Sequence, residues 1–176
     1  SPATTTTGFG GLPATLLAKD GSSADTATAL AGAEYVGLYF SASWCGPCRK
    51  FTPALSAYLK AHAAAKKFVV VHVNRDRSEA DFKKYYGDME VPYAVPWDAP
   101  ARDDLMTAYP VDGIPTLTIL SVATGAVVTA DAVESVFTDP AAARFPYRTL
   151  TRGELLDTIP NVVDASGAST PFADVR

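Results

Sequence analysis

One stretch decides the fold, YVGLYFSASWCGPC at residues 35–48. Residues 35–40 form a continuous apolar run rich in β-branched and aromatic side chains, which is typical of a strand covered on both faces. Residues 46–65 then carry apolar side chains at helical spacing, and these form one stripe. Pro53 lies inside that helix and should kink it. The sequence therefore predicts a buried strand that leads directly into a helix, with two cysteines at the junction.

The rest of the chain predicts strands and helices that extend this arrangement. A second buried strand is predicted at 68–73, and two strands at 116–120 and 126–129 are joined as a hairpin. The further predicted elements are an edge strand within 12–19, a helical turn at 25–31, a helix capped by Ser78, an extended connection at 91–97, a helix at 102–109 and a last helix at 153–159. This order indicates an α/β fold, in which a central mixed β-sheet is flanked by helices and ends in a C-terminal antiparallel hairpin.

A single domain accounts for most of the chain. A length of 176 residues suits one compact domain, because two halves would each be short of core. Hydrophobic residues make up 48% of the chain and charged residues 19%, which is enough apolar surface to bury a core. We assign residues 12–160 to the domain, 1–11 to a flexible N-terminal segment and 161–176 to a C-terminal tail.

Charge and composition exclude several classes of protein. Lys and Arg total 15 against 19 Asp and Glu, so the net charge of −4 offers no basic excess to neutralise a nucleic acid. The apolar runs are strand-sized, far below the ~20 residues of a membrane span. No signal peptide is visible, so a cytoplasmic protein is expected, with a removed leader left open. Only 2 Cys are present, which excludes a scaffold held by several disulfides.

The cysteine pair carries the predicted chemistry. Cys45 and Cys48 stand where a helix begins, and the free N–H groups and partial positive charge of a helix N-terminus stabilise a thiolate. The thiol pKa of Cys45 is therefore expected to be low, which makes this sulfur nucleophilic. Pro47 suits the first helical turn, and Arg49 with Lys50 adds positive charge. We predict that Cys45 attacks a substrate disulfide and that the more buried Cys48 then displaces the reduced product.

Three other interpretations compete for this pair. A structural disulfide that closes a four-residue loop contributes only about 2 kcal/mol in the chain-entropy model, and less in a reducing cytosol. A zinc site needs four ligands, and His62 and His72 do not form a second ligand pair. The third interpretation is two incidental cysteines. No glycine-rich dinucleotide motif or phosphate loop occurs, so no organic cofactor is expected.

The motif Trp44-Cys45-Gly46-Pro47-Cys48 resembles the active site of the thioredoxin superfamily. Pro53 lies where that family kinks its active-site helix. A second motif, Gly113-Ile114-Pro115-Thr116, precedes a predicted strand, as the family's cis-proline does. The resemblance implies that Pro115 is this cis-proline and packs against the cysteines. It also implies that backbone groups of Ile114 pair with a substrate strand.

The wider match is similar to tryparedoxins and nucleoredoxins. It includes the segment from Phe40 to Pro53, the long two-helix stretch between His72 and Gly113, and the Thr138-Asp139-Pro140 and Phe145-Pro146 motifs. The resemblance covers residues 12–150. It implies a monomeric carrier that transfers electrons from trypanothione, a low-molecular-weight dithiol, to peroxidases and other disulfide proteins. A thioredoxin-type reductase with another donor and a non-enzymatic binding module are the alternatives.

Three departures from the tryparedoxin pattern concern the donor. Gly46 replaces the first of two prolines between the cysteines, and Arg75 replaces the Trp of a Trp-Asp pair. Residues 130–133 carry no arginine where tryparedoxins have trypanothione-holding arginines. The donor therefore stays open between trypanothione and another dithiol.

Two further residues are predicted to assist the cysteines. The position six residues before Cys45, which carries a buried carboxylate in bacterial-type thioredoxins, is Tyr39, and a phenol is a poor base at pH 7. Our hypothesis is that Asp76, at the end of the adjacent strand, moves protons to and from Cys48, through a water molecule if the two are not in contact. Trp44 is predicted to be partly exposed and to contact substrate. The substrate-binding set is completed by residues already introduced, namely Gly46, Pro47, Arg49, Ile114 and Pro115.

Overall fold

The computed structural model describes residues 9–148, 161–163 and 169–171. The elements in chain order are a 3-10 helix at Phe9–Gly11, β1 (Thr15–Ala18), β2 (Ser23–Asp25), α1 (Thr26–Ala29), β3 (Tyr35–Ser41), α2 (Gly46–His62), β4 (Phe68–Asn74), α3 (Glu79–Asp88), β5 (Tyr93–Ala94), α4 (Ala101–Ala108), β6 (Thr116–Ser121), β7 (Val127–Thr129), α5 (Val133–Thr138), β8 (Asn161–Val163) and β9 (Ser169–Pro171). Seven strands form one sheet in the order β2-β1-β5-β4-β3-β6-β7. The predicted mixed sheet flanked by helices is confirmed.

Strand β3 is an inner strand of the sheet and lies between β4 and β6. It pairs in parallel with β4, from Tyr35 opposite Phe68 to Ser41 opposite Asn74, and antiparallel with β6. The C-terminal ends of β3 and β4 therefore meet at one edge of the sheet. Loops that leave such an edge are where α/β folds build their sites. The cysteine pair follows β3 at this edge.

The sheet is covered on both faces by apolar side chains. Successive residues of a strand point to opposite faces, so β3 contributes Tyr39 to one face and Leu38 and Phe40 to the other. The Tyr39 face packs under α2, α3 and α5, and the opposite face packs under α4. Gly37 allows this packing, since a Cβ there would lie 2.8 Å from the Phe68 ring. A strand covered on both faces explains the continuous apolar run of the sequence.

Helix α2 begins with the cysteines and ends at His62, three residues earlier than predicted. Cys45 is the N-cap residue in an extended conformation, and a proline lies in the first turn. Pro53 lies inside the helix, where its missing N–H removes the bond that the Arg49 carbonyl would otherwise accept. The sequence therefore sets the start of this helix more firmly than its end.

Several predicted elements differ from the observed ones. The predicted edge strand is wrong in its position, because β1 lies between β2 and β5 inside the sheet. The segment predicted as an extended connection at 91–97 contains β5, which pairs with both β1 and β4. Strand β2 and helix α5 were not predicted. All of these are short elements whose state depends on partners distant in sequence.

The chain ends contain some regular structure. Residues 9–11, assigned above to the N-terminal segment, form the 3-10 helix, and Phe9 packs against the α4 face. Strands β8 and β9, within the predicted tail, pair antiparallel. Residues 1–8 and the predicted helix at 153–159 lie outside the described residues. None of the helices in the described part of the chain combines the length and the apolar character that a membrane crossing needs.

Candidate active site

Cys45 and Cys48 are joined by a disulfide at the N-terminus of α2. Cys45 has 6% of its surface exposed and Cys48 none, as predicted for a nucleophile in front of a resolving sulfur. The backbone N–H of Cys48 donates to Cys45 Sγ at 3.2 Å. An N–H at a helix N-terminus that is aimed at this sulfur stabilises negative charge on it when the disulfide is opened. Helix start and cysteine spacing therefore fit the predicted roles of Cys45 as nucleophile and Cys48 as resolving cysteine, which stay predictions.

The loop before β6 forms the other wall of the site. The Ile114–Pro115 peptide bond is cis, as the resemblance implied, and the Ile114 carbonyl oxygen lies 3.5 Å from Cys45 Sγ. The half-buried Ile114 packs with both cysteines. A groove of about 490 Å³ runs along this loop and is lined in part by Asp112 and Asp131. Ile114 therefore lies between the groove, which it helps to line, and Cys45, whose sulfur its carbonyl oxygen approaches.

The predicted substrate-contacting residues lie on the exposed side of the disulfide. Trp44 is 48% exposed, and its indole Nε1 donates to the Arg75 carbonyl at 3.0 Å, which fixes the ring. The guanidinium of Arg77 lies 5.0 Å from the centre of the Trp44 ring. Pro47 and Arg49 are exposed and Gly46 is half-buried, with open space where a Cβ would lie. These residues surround the disulfide, and their roles in binding stay predictions.

Asp76 is buried beside the loop that carries Trp44. Its Oδ1 accepts the backbone N–H of Ser43 at 2.7 Å, and 4% of the residue is exposed. The second carboxylate oxygen, Oδ2, is buried without a hydrogen-bond partner among the described residues. Neither oxygen bonds a cysteine, so the predicted proton transfer to Cys48 requires a bridging water molecule. The structure thus brings Asp76 to the loop before the nucleophile rather than to the resolving sulfur itself.

A cluster of three hydroxyls, which we call the hydroxyl cluster, supports the turn that carries Cys48. Thr52 Oγ1 donates to the Cys48 carbonyl at 2.9 Å, and its oxygen lies 2.8 Å from the Tyr39 hydroxyl and 2.6 Å from the Tyr85 hydroxyl. Since a threonine hydroxyl has one proton and two lone pairs, both tyrosines must donate to it. Burial raises the pKa of Tyr39 well above its usual range, so this phenol stays protonated. The cluster therefore holds Cys48 in position and supplies no base.

The residues behind the site are also polar. His72 is fully buried, and its Nε2 lies 3.0 Å from Ser41 Oγ, while Nδ1 has no partner in the described structure. Burial lowers the pKa of His72 to about 3, so the ring is neutral at physiological pH. Within the residues the structure describes, no group of three or more His, Cys, Asp or Glu side chains could hold a metal ion.

Sequence reasoning missed Thr52, Tyr85, Arg77 and Ser43 as parts of the site. Thr52 lies four residues after Cys48 in α2 and could have been noticed from that spacing, whereas Tyr85 reaches Thr52 from α3 and no local pattern marks it. Arg77 could have been noticed, because it belongs to a short basic run, Arg75-Asp76-Arg77, at the end of a strand next to the cysteine loop.

The comparisons with known proteins agree with this geometry. A family model described as Thioredoxin-like matches residues 32–127. The chain belongs to the thioredoxin-like family. A tryparedoxin of Trypanosoma brucei brucei is 44% identical to this thioredoxin-like chain over 112 residues, 62% of the chain and 76% of that protein. A nucleoredoxin of Danio rerio is 40% identical over 124 residues, 68% of the chain, but only 28% of that longer protein.

A solved structure extends the comparison to three dimensions. Tryparedoxin II in complex with glutathionylspermidine superposes with a TM-score of 0.73 at 38% identity, over 77% of the chain and 93% of that structure. The thioredoxin-like fold and the resemblance to tryparedoxins and nucleoredoxins are thereby confirmed. With the Cys45–Cys48 disulfide in its structure, the chain is a thiol–disulfide oxidoreductase of this family.

Proposed function

We propose that the chain is a tryparedoxin-like electron carrier, which takes electrons from a low-molecular-weight dithiol and passes them to disulfide proteins such as peroxidases. The observation that carries this proposal is the asymmetry of the cysteine pair. Cys45 is slightly exposed and receives the Cys48 N–H, whereas Cys48 is fully buried. One sulfur can meet a partner protein and the other can only meet the first sulfur.

The first step is attack on the partner's disulfide. In the reduced protein, the Cys45 thiolate forms a bond to one sulfur of the partner, the partner's S–S bond breaks, and the departing sulfur takes up a proton. The partner is then held to Cys45 as a mixed disulfide. The Ile114 carbonyl beside Cys45 is the acceptor for a backbone N–H of the docked partner, and Trp44 contacts its side chains.

The second step releases the reduced partner. Cys48 loses its proton and attacks Cys45 Sγ, the internal disulfide forms, and the partner's second sulfur leaves as a thiolate that is protonated. Two electrons and two protons pass from the dithiol to the partner. Because Cys48 is buried, its deprotonation is the costly part, and we assign Asp76 as the proton acceptor through a water molecule. The hydroxyl cluster cannot take this role because neutral hydroxyls are poor proton acceptors at physiological pH.

A low-molecular-weight dithiol then returns the protein to its reduced state. Trypanothione is the first donor to test, because a tryparedoxin II that superposes on this chain is complexed with glutathionylspermidine. An arginine would bring positive charge to the groove beside Pro115, whereas this chain has the negative charge of Asp131 there. The Asp131 carboxylate accepts the N–H groups of Leu117 and Val133. Trypanothione and other electron donors must therefore be compared by experiment.

Trapping of the mixed disulfide tests the proposal directly. Cys48→Ser cannot resolve the intermediate, so disulfide proteins should remain bound to Cys45 and be released by dithiothreitol. Cys45→Ser is the matched control and should trap nothing. In a second assay, the wild-type chain should accelerate the reduction of insulin by dithiothreitol. Absence of both acceleration and trapping would identify a binding module instead of an electron carrier.

The reduction potential and the donor refine the result. We expect a potential of about −200 to −270 mV, the range of glutaredoxins and thioredoxin. A value near −120 mV, as for a strong oxidant, would overturn the direction of electron flow. Rates of Cys45–Cys48 reduction by trypanothione, glutathione and a thioredoxin reductase with NADPH should differ by more than tenfold, with the dithiol fastest.

A further inference from the structure

The surface around the disulfide is basic although the protein as a whole is acidic. The net charge of the chain is −4, yet Arg49 and Lys50 at the start of α2 and Arg77 in the loop between β4 and α3 lie around the cysteine pair. All three are exposed, and we call them the basic rim. Within the described residues none of the three forms an ion pair, whereas the nearby Arg75 pairs with Asp103 at 2.6 Å. The rim charges are therefore available to a partner.

Two of these charges lie close to the residues that surround the reacting sulfur. The guanidinium of Arg77 lies over the exposed ring of Trp44, which stands next to Cys45. Arg49 lies one turn into α2, and its backbone N–H bonds the Cys45 carbonyl at 3.1 Å. Side chains of a helix tilt toward its N-terminus, so the Arg49 side chain extends toward the cysteines. A partner that docks on Trp44 thus meets positive charge before it meets the sulfur.

The opposite side of the disulfide has the opposite charge. Asp112 and Asp131 line the groove beside Pro115. On the Trp44 side, Asp76 is buried with its Oδ1 bonded to Ser43, and the exposed carboxylate of Asp103 is paired with Arg75. The docking surface is therefore polarised across Cys45. Such a surface discriminates between partners by attraction on one side and repulsion on the other.

We propose that the basic rim selects polypeptide disulfides flanked by acidic side chains on the side that docks at Trp44. This inference rests on the proposed function, because it specifies the partner of the same exchange reaction. Charge of this kind acts mainly on the rate of encounter and is screened by salt, with a Debye length near 8 Å at physiological ionic strength. Arg77 is the main selecting residue, because its charge lies over the Trp44 ring.

The test uses disulfide peptides that differ only in charge. Two Glu, two Gln or two Lys are placed next to the target cysteine, before it in one series and after it in another, because the rim lies on one side only. Dithiothreitol supplies the electrons. At low salt we expect that in one of the two series the Glu peptide is reduced about tenfold faster than the Lys peptide. This Glu-over-Lys rate ratio should fall to about twofold in 0.5 M salt.

Charge variants assign the selectivity to the rim. Arg77→Glu should remove or reverse the Glu-over-Lys ratio, and Arg77→Gln should reduce it. The matched control is Lys60→Glu, which makes the same charge change in the last turn of α2, roughly 21 Å from its start, and should keep both the ratio and the rates. Equal rates for the three peptides in both series, or an equal loss of the ratio in Lys60→Glu, would overturn the proposal. Failure to reduce even the Gln peptides would instead overturn the proposed function.

Discussion

Two buried polar clusters flank the cysteine pair, and they differ in whether their polar atoms are paired. In the hydroxyl cluster, Tyr39 and Tyr85 each donate to Thr52, and Thr52 donates to the Cys48 carbonyl. At the C-terminal end of β4, both amide atoms of Asn74 and the Oδ2 atom of Asp76 are buried without a partner among the described residues. Arg102, whose charge acts on that carboxylate, has an Nε with no partner in the part of the chain that the structure describes. We call these three residues the β4-end cluster.

The difference separates a supporting role from a reactive one. Buried polar atoms are nearly always paired in folded proteins, and the exceptions concentrate at functional sites. A paired cluster contributes to stability and holds a turn, whereas an unpaired one costs stability and retains the capacity to bind water or a proton. We therefore expect substitutions in the hydroxyl cluster to change stability first and those in the β4-end cluster to change the reaction first.

The largest expected effect is on stability, from Thr52→Val. The substitution keeps the side-chain shape but leaves the hydroxyls of the buried Tyr39 and the half-buried Tyr85 without their common acceptor, and the Cys48 carbonyl without its extra donor. We expect the free energy of unfolding to fall by about 3 kcal/mol, measured by urea denaturation. Tyr39→Phe and Tyr85→Phe should each cost about 1 kcal/mol, because they remove one donor and leave no buried group unpaired. A cost for Thr52→Val below that of either phenylalanine variant would contradict the assigned hydrogen-bond directions.

The next effect is a pH dependence that originates at His72, which lies between the two clusters. Its folded-state pKa of about 3 is below its ordinary value of 6.5, so the unfolded chain binds a proton that the folded chain does not. Stability should therefore fall as the pH decreases below 6.5, by about 1.4 kcal/mol per pH unit, or about 2 kcal/mol by pH 5.

Unfolding measured at several pH values checks this expectation. His72→Phe should abolish the slope between pH 6.5 and 5, whatever its effect on absolute stability. The carboxylates whose pKa values are lowered, including those of Asp25 and Asp103, lose their contribution only below 3.8 and leave this window clear. An unchanged slope in His72→Phe would place the titrating group elsewhere.

Tyr39 and Thr52 also show how far the sequence could predict the site. The segment from β3 through the cysteines into α2 was predicted because its signals are local, namely an apolar run, a helix start and a proline in the first turn. The tyrosine at position 39 was recognised as a poor base. Its bond to Thr52, however, depends on how α2 lies on β3, and Tyr85 joins them from α3. Such contacts across distant elements have no local pattern.

The missed elements have the same cause. Strand β2 consists of Ser23–Asp25, which are polar or small, and it is a strand because it pairs with β1. Helix α5 spans six residues and lacks a side-chain cap, so its position depends on contacts with α2 rather than on its own sequence. Conversely, Asp76 was found from its place at the end of a strand, although the sequence could not show that its partner is Ser43.

The effect of Asp76→Asn should be on the reaction rather than on the fold. The amide keeps an oxygen for the Ser43 N–H and removes a buried charge, so stability should be unchanged or higher. We expect the Cys48 step to slow about tenfold at neutral pH, with a changed pH profile, because the proton acceptor is lost. Stopped-flow release of product from the mixed disulfide measures this step. The control is Asp103→Asn, which removes an exposed carboxylate that is paired with Arg75. Equal rates and equal pH profiles for the two variants would remove Asp76 from the mechanism.

The smallest effect is expected from Asn74→Leu, and it tests the comparison most finely. Within the described residues both amide atoms of Asn74 are buried without a partner, so an apolar side chain with the same branching should raise the free energy of unfolding by about 1 kcal/mol. Urea denaturation measures the change, with the rate of the Cys48 step followed in the same variant. A stability loss would mean that the amide is paired through water in solution. A gain in stability together with a slower Cys48 step would show that this polar side chain is retained for the reaction at the expense of the fold.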